Sequence, residues 1–286
     1  MKFVKRAVKK FMPGETVEAA IQATKQLLSK NIPTTFTRLG ENITTIKEAE
    51  ENTKHYLDLF DKINSEKLDI EISLKLTQIG FDLSFEKTFD NLKSIVEKAK
   101  KFNNFVFIDI EDSSYVNRTI SLYKQIKESH YNVGLCLQAY LYRTLEDIRS
   151  MEIISPCVRL VKGAYKEPDS VAFKKLSLVN DNYLKIAIYL LQLIKDKKIR
   201  VAFATHDITL QEQIKIEAEK IGLDKTSLEF QMLYGIKSSE QVKLVEDGFK
   251  IRTLISYGEQ WYPWYVRRLA ERPANVWFVL KNVFSK

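Results

Sequence analysis

Polar side chains follow a series of short apolar runs in this 286-residue sequence. Lys75, Asp109 and Gln138 each lie at or just after the end of such a run, and Arg159 and His206 lie in or after two later ones. A polar residue after a strand commonly caps a helix or faces solvent, so each position alone is a weak indication. If the runs are strands of one barrel, their carboxyl ends meet, and these side chains would form a single pocket.

The most specific stretch runs from 257 to 275 and mixes aromatic with charged residues. In a helix, Tyr265 and Arg268 would share one side, with Arg267 and Glu271 on the neighbouring side. An exposed Arg267–Glu271 pair adds only about 0.2–0.5 kcal/mol, too little to explain the cluster as a stabilising device. Adjacent guanidinium groups beside aromatic side chains instead predict a site for a small amino or keto acid. An amphipathic surface helix is the alternative.

Eight apolar or β-branched runs alternate with amphipathic helical patterns, which are clearest from Ile46 to Phe60 and from Phe173 to Ile194. Strands that alternate with helices pair in parallel, because each connection must return the chain in the same direction. The predicted strands are 34–39, 70–76, 105–110, 133–137, 157–161, 201–204, 227–231 and 251–256. This count predicts an α/β fold of the (β/α)8 barrel type.

A doubly wound sheet is the competing fold, but no GxGxxG motif follows the first strand, and the sequence has only 9 glycines. No linker, low-complexity tract or internal repeat interrupts the chain, so we expect one domain over 1–286. Residues 1–30 predict one or two extra helices, divided at Pro13-Gly14, which could act as a lid or plug on the barrel.

Composition limits the class of protein. Hydrophobic residues make up 45% and charged residues 29%, values typical of a soluble globular protein. Cys136 and Cys157 lie in apolar runs, so we expect buried thiols rather than a disulfide. The three histidines, His55, His130 and His206, lack the spacing of a metal site. With no signal peptide or apolar run of membrane-spanning length, we expect a cytoplasmic protein.

The formal charge is +8, and the first ten residues hold five lysines and arginines. A solvated surface explains such a run, although peripheral contact with anionic lipid is an alternative. Nucleic-acid binding is not expected, because the basic residues are spread over all elements rather than gathered in one stripe.

Four motifs resemble the proline dehydrogenase family in order and spacing: 159–165 (RLVKGAY), 204–206 (ATH), 229–233 (EFQML) and 265–271 (YVRRLAE). The resemblance runs from about Thr34 to the carboxyl end. It implies a distorted (β/α)8 barrel with the last helix over its mouth and FAD at the strand ends. The implied reaction oxidises L-proline to 1-pyrroline-5-carboxylate by hydride transfer to FAD, and electrons then pass to a membrane quinone. A partner pyrroline-carboxylate dehydrogenase is a further possibility that the family raises.

The resemblance also implies a cofactor site. Arg159 would approach the flavin N5, while Gln138 and Gln231 would hydrogen-bond the isoalloxazine edge. The ribityl, phosphate and adenosine parts would contact Val161, Lys162, Gly163, Ala164, Thr205 and His206. Lys166 stands at a position that can be aromatic near the adenine in the family, and a lysine has no ring to stack on the adenine.

For the substrate, the resemblance implies that Lys75, Arg267 and Arg268 bind the proline carboxylate. The rest of the pocket would be Asp109, Leu233, Tyr257, Tyr265 and Glu271. Arg159, Asp109 and Tyr257 are the catalytic candidates; the amine proton would leave through Asp109, through Tyr257 or to solvent. A different enzyme class stays open, because Lys162 at a strand end could act as the Schiff-base nucleophile of a barrel aldolase.

Overall fold

A computed structural model of the protein describes residues 10–41, 43–262 and 266. Within them, eight parallel strands form a closed barrel in chain order, and the last strand pairs with the first. The strands are β1 Thr34–Arg38, β2 Ile70–Lys75, β3 Val106–Asp109, β4 Val133–Gln138, β5 Val158–Val161, β6 Val201–Ala204, β7 Glu229–Leu233 and β8 Lys250–Tyr257. The predicted α/β barrel of eight strands is confirmed.

Helices precede β1 and follow each of the first seven strands. They are α1 Val17–Leu28, α2 Ile46–Glu66, α3 Phe85–Lys101, α4 Val116–Lys127, α5 Thr144–Arg149, α6 Leu176–Lys197, α7 Ile208–Lys220 and α8 Ser238–Glu246. Local sequence sets their starts: at α2, Thr45 accepts from the Glu48 N–H while the Glu48 carboxylate accepts from the Thr45 N–H. In the described ranges, none of the helices has the length and apolarity to cross a membrane.

Most predicted strand bounds lie within one residue of the observed ones, but the bounds of β7 and the start of α6 differ by more. β7 begins at Glu229 rather than 227, because Lys225–Ser227 form a short 3-10 helix whose start is capped by the Asp224 carboxylate. Phe173 lies before α6 rather than within it, since its backbone N–H donates to the Tyr140 carbonyl in the preceding loop.

The terminal predictions reach beyond the described residues. Thr16 caps α1, which supplies one helix of the predicted 1–30 extension. Residues 1–9 and most of the segment predicted to lie over the barrel mouth fall outside the described part, so the single-domain prediction for 1–286 stays a prediction.

Four charged side chains fill the amino end of the barrel interior, and we call Glu71, Arg200, Glu229 and Arg252 the floor cluster. Arg200 lies 2.7 Å from a Glu71 oxygen and 2.8 Å from a Glu229 oxygen, and the Arg252 Nε lies 3.4 Å from Glu71. Both carboxylates are buried, so their pairing with arginine offsets the cost of removing them from water. The opposite, carboxyl end of the barrel holds the main cavity.

Candidate active site

A cavity of about 1080 Å³ lies at the carboxyl ends of the strands. This is the end at which barrel enzymes place their reactive groups. The predicted site residues that line it are Lys75, Asp109, Gln138, Arg159, Val161, Lys162, Gly163, Ala164, Thr205, His206, Gln231 and Leu233. Side chains that are far apart in sequence are thus brought together by the closure of the barrel.

Arg159 lines the cavity and is only 2% exposed. Its Nη1 donates to the Ser73 hydroxyl at 2.7 Å and to Asp109 Oδ1 at 3.0 Å, and the Ser73 hydroxyl donates to the same Oδ1 at 2.8 Å. The guanidinium carbon lies 4.0 Å from the centroid of the Phe107 ring, within cation–π distance. The Nε and Nη2 atoms of Arg159 are buried with no hydrogen-bond partner in the described part of the chain.

Two glutamine side chains lie beside Arg159 with their orientation fixed by what their amide nitrogens bind. The Gln138 Nε2 donates to the Glu111 carbonyl at 2.7 Å and the Ile110 carbonyl at 3.3 Å, and the Gln231 Nε2 donates to Glu229 Oε1 at 2.7 Å. Only an NH2 group can face those acceptors, which settles the assignment of the amide atoms. Both Oε1 atoms are buried and, among the described residues, lack a donor.

Lys162 contributes a positive charge that is already paired. Its Nζ lies 2.8 Å from Asp207 Oδ2 and 2.7 Å from Asn180 Oδ1. Burial alone would raise the pKa of Asp207, but the hydrogen bond and charge of Lys162, together with the backbone N–H groups of Leu210 and Thr209, outweigh it and hold the pKa below its ordinary value. Asp207 is also the residue that caps α7, so the ion pair attaches Lys162 to the start of that helix.

Thr205 and His206 follow β6, and each accepts a hydrogen bond from a backbone N–H. The Thr205 hydroxyl accepts from the Asp207 N–H at 3.1 Å, so Asp207 and not Thr205 is the helix cap. The Leu233 N–H donates to His206 Nε2 at 2.9 Å, which requires that nitrogen to be unprotonated. His206 therefore links the ends of β6 and β7 through this hydrogen bond.

The loop after β5 forms one wall of the cavity and packs on the loop after β4. Gly163 has φ +120°, and a Cβ there would lie 2.2 Å from the Tyr140 ring. The buried Glu167 carboxylate accepts from the Ser113 N–H and hydroxyl, both at 2.6 Å, and from the Tyr140 hydroxyl at 3.4 Å. Glycine is thus required where the loop meets Tyr140, and Glu167 holds three strands' loops together.

Lys75 lies at the cavity edge between two acidic side chains. Its Nζ is 3.5 Å from Glu41 Oε1. Glu111 is 6% exposed and accepts from the Thr77 hydroxyl at 2.7 Å. Burial raises the pKa of Glu111 to about 7, with Glu41 adding to the rise and Thr77 and Lys75 opposing it.

A model of the proline dehydrogenase family matches residues 20–281. The chain belongs to the proline dehydrogenase family. It is therefore an enzyme, and the resemblance seen in the four motifs is confirmed for the chain as a whole.

Relatives support the same assignment. The chain is 36% identical to proline dehydrogenase 2 and 38% identical to proline dehydrogenase 1 of Bacillus subtilis strain 168, covering 98% and 97% of this chain and 91% of each relative. Its fold is similar to proline utilization A of Bdellovibrio bacteriovorus inactivated by N-propargylglycine, with TM-score 0.87 and 26% identity. That match covers 94% of this chain and 33% of the other, so the chain spans about a third of that larger protein.

One predicted site residue, Tyr257, lies away from the large cavity. Its ring packs on Phe36 and its hydroxyl is 2.7 Å from His55 Nε2, beside a second cavity of about 320 Å³. Ser256 lines the large cavity, and successive strand residues point to opposite sides, so Tyr257 must face away. Burial raises the pKa of the Tyr257 phenol and lowers that of His55 to about 4.

The remaining substrate residues predicted from the motif, Tyr265, Arg267, Arg268 and Glu271, lie outside the described residues. Conversely, the structure adds residues that the sequence did not single out. Ser73 holds Arg159 and Asp109 together, and Glu229 holds Gln231. Ser73 lies two residues before Lys75 on β2, so counting along the strand from Lys75 would have placed it on the same interior face.

Proposed function

We propose that this member of the proline dehydrogenase family oxidises L-proline to 1-pyrroline-5-carboxylate, with FAD as its cofactor and a membrane quinone as the final electron acceptor. The family assignment supports proline oxidation. The observation that carries the cofactor is the set of buried polar atoms without described partners at Gln138, Arg159 and Gln231, all lining one cavity.

The donor and acceptor pattern of these atoms fits an isoalloxazine ring. The two glutamine oxygens are acceptors, and the Arg159 Nε and Nη2 are donors. A flavin ring carries carbonyl and ring-nitrogen acceptors for the two arginine nitrogens, and one N–H donor that can bond one of the two glutamine oxygens. A buried polar atom left without a partner costs about 1–3 kcal/mol, which such a ligand would recover.

The polar end of the cavity suits the rest of the cofactor. Lys162 supplies a paired cation, Thr205 and His206 lie directly before α7, and N–H groups at a helix start favour phosphate. Gly163 and Ala164 line the wall of the same cavity. These residues, with Val161, would hold the ribityl, phosphate and adenosine portions.

For the reaction, FAD supplies the hydride acceptor, and the protein's residues supply orientation and proton transfer. Lys75, with Arg267 and Arg268, would bind the proline carboxylate and fix the ring carbon that loses its hydride. In the described part of the chain, both donors to Asp109 reach Oδ1, so Oδ2 is the oxygen left to accept the amine proton. We do not assign Tyr257 this role, because its hydroxyl is bonded to His55 on the other side of the strand.

The Schiff-base aldolase is the weaker proposal. A lysine nucleophile must lose its proton, whereas the Lys162 ammonium is stabilised by the Asp207 carboxylate at 2.8 Å. The ion pair with Asp207 therefore disfavours the neutral, mobile Lys162 amine that a Schiff-base mechanism needs.

A spectrum separates the two functions. Purified protein is expected to be yellow, and its flavin absorbance is expected to bleach under anaerobic addition of L-proline but not D-proline. Protein that lacks flavin and forms a borohydride-stable adduct with a keto acid, lost in Lys162→Met, would contradict the proposal. N-propargylglycine, with which the similar Bdellovibrio protein was inactivated, should also cause time-dependent loss of activity.

The electron acceptor and partner need their own assay. Turnover with a soluble quinone analogue, compared between proline and hydroxyproline, tests the quinone proposal and the substrate preference together. Addition of a pyrroline-carboxylate dehydrogenase would show whether the product passes to such a partner faster than through bulk solution. Sedimentation with anionic vesicles would test peripheral membrane contact.

A further inference from the structure

The floor cluster lies directly beneath a side chain of the cofactor cavity. Glu229 and Gln231 are two residues apart on β7, so both face the barrel interior. Gln231 lines the cavity, while Glu229 belongs to the floor cluster. A single hydrogen bond of 2.7 Å, from the Gln231 Nε2 to Glu229 Oε1, joins the two.

Glu229 is itself held in one position. The Arg200 Nε donates to its Oε2 at 2.8 Å, and the Arg200 Nη2 donates to its Oε1 at 2.9 Å. This paired contact fixes the plane of the carboxylate. Burial opposes ionisation of Glu229, but the charges and hydrogen bonds of Arg200, with Arg252 and Gln231, outweigh it and keep the pKa below its ordinary value.

The orientation of Gln231 follows from the charge of Glu229. A carboxylate offers only acceptors, so the Gln231 amide must turn its nitrogen toward it and its oxygen away. That oxygen is buried and has no donor in the described part of the chain. We propose that Glu229, held by Arg200, is a positioning residue that orients Gln231 so that its amide oxygen can accept a hydrogen bond from the flavin.

The proposal rests on the proposed FAD site but adds a role for residues below it. It predicts what a neutral replacement would do. In Glu229→Gln, the donors of Arg200 would retain the new amide oxygen, and the new NH2 group would face Gln231. Gln231 would then have to rotate and offer its NH2 group where its oxygen had been.

The test is a double-mutant cycle measured on FAD affinity and flavin midpoint potential. Glu229→Gln is compared in the parent protein and in Gln231→Met, which keeps the side-chain shape without polar atoms. Glu71→Gln is the matched control: it neutralises another carboxylate that pairs with Arg200, yet Glu71 is not among the described partners of Gln231.

We expect Glu229→Gln to weaken FAD binding to the apoprotein by about tenfold, the scale of one net hydrogen bond, and to shift the potential. In the Gln231→Met background the same change should alter affinity by less than about twofold and leave the potential in place. Glu71→Gln should also stay within about twofold of the parent. Equal effects of the two glutamate variants, or an undiminished effect in Gln231→Met, would overturn the positioning role.

Folding is checked by thermal unfolding of each apoprotein. If Glu229→Gln does not fold, the double variant Arg200→Gln with Glu229→Gln, which leaves the net charge unchanged, replaces it in the cycle. The results that would support or overturn the proposal stay the same. Failure of the parent protein to bind FAD would instead refute the cofactor proposal, and with it this inference, so the two failures are distinguishable.

Discussion

Replacing Arg159 by lysine tests whether Nε and Nη2, which have no partner among the described residues, serve the cofactor. Lysine keeps the positive charge beside Asp109 and can retain one hydrogen bond to it, but it cannot supply the donors of Nε and Nη2. A hydrogen bond from a charged donor contributes about 1.5–3 kcal/mol. Two such bonds give at least about 3 kcal/mol, or roughly two orders of magnitude in FAD affinity or in the rate of flavin reduction.

The assay is anaerobic stopped-flow reduction of the flavin by proline, together with reconstitution of the apoprotein with FAD. Arg252→Lys is the control, because Arg252 is also an interior barrel arginine, but its Nη1 donates to the Thr34 carbonyl and Asp69 at the opposite end. It should lower the free energy of unfolding and leave flavin reduction near the parent rate. Arg159→Lys with parental affinity and rate, or an equal loss in Arg252→Lys, would refute the reasoning.

Two further predictions concern the cavity wall and the pH dependence of stability. Gly163→Ala should lower the free energy of unfolding by about 3 kcal/mol, because the residue has a positive φ and its new Cβ would overlap Tyr140. Gly222→Ala is the control: it has φ +72° but no described atom within 4 Å of the new Cβ, so it should lower the same free energy by only about 1 kcal/mol in urea unfolding. Equal losses would show that the overlap is unimportant. Because the pKa of Glu111 is raised to about 7, the folded state binds more protons than the unfolded state between pH 4.5 and 7. The free energy of unfolding should therefore fall as the pH rises through that window, by at most about 3 kcal/mol. Glu111→Gln should remove this slope, and parallel pH profiles for the variant and the parent would contradict the assignment.

The barrel was predictable from sequence because the pattern that indicates it repeats along most of the chain. Eight apolar runs separated by helical patterns indicate parallel strands even when a boundary is misplaced, as at β7, where a capped 3-10 turn displaces the strand start by two residues. Four of the predicted site residues at strand ends, Lys75, Asp109, Arg159 and Gln231, line one cavity. Order along the chain becomes order around the barrel, so this part of the site follows from topology alone.

The direction of individual side chains did not follow from sequence. β8 carries polar and apolar residues on both of its faces, with Arg252 and Leu254 on one and Thr253 on the other, so its sequence does not reveal which side lines the barrel interior. A match to a family motif gives Tyr257 a position but not a face, and its neighbour Ser256 faces the cavity instead. Ser73 was missed for the related reason that a small polar residue inside an apolar run resembles packing until its partners are known.

The hydrogen-bond partners of three arginines in the barrel interior distinguish a structural role from a ligand-binding role, which the sequence does not. Arg200 and Arg252 meet carboxylates and a backbone carbonyl at the amino end, and none of their side-chain nitrogens is buried without a partner in the described part of the chain. Arg159 is more deeply buried than either, yet only its Nη1 has partners there. An arginine whose N–H donors all bond to acceptors of the protein stabilises the fold. An arginine beside a cavity with N–H donors that lack a protein acceptor is suited to bind a ligand. By that criterion the charged residues of the floor cluster stabilise the fold, while Arg159 at the carboxyl end of the barrel is suited to bind a ligand. Glu229 belongs to the floor cluster and, through its hydrogen bond to Gln231, connects it to the cofactor cavity.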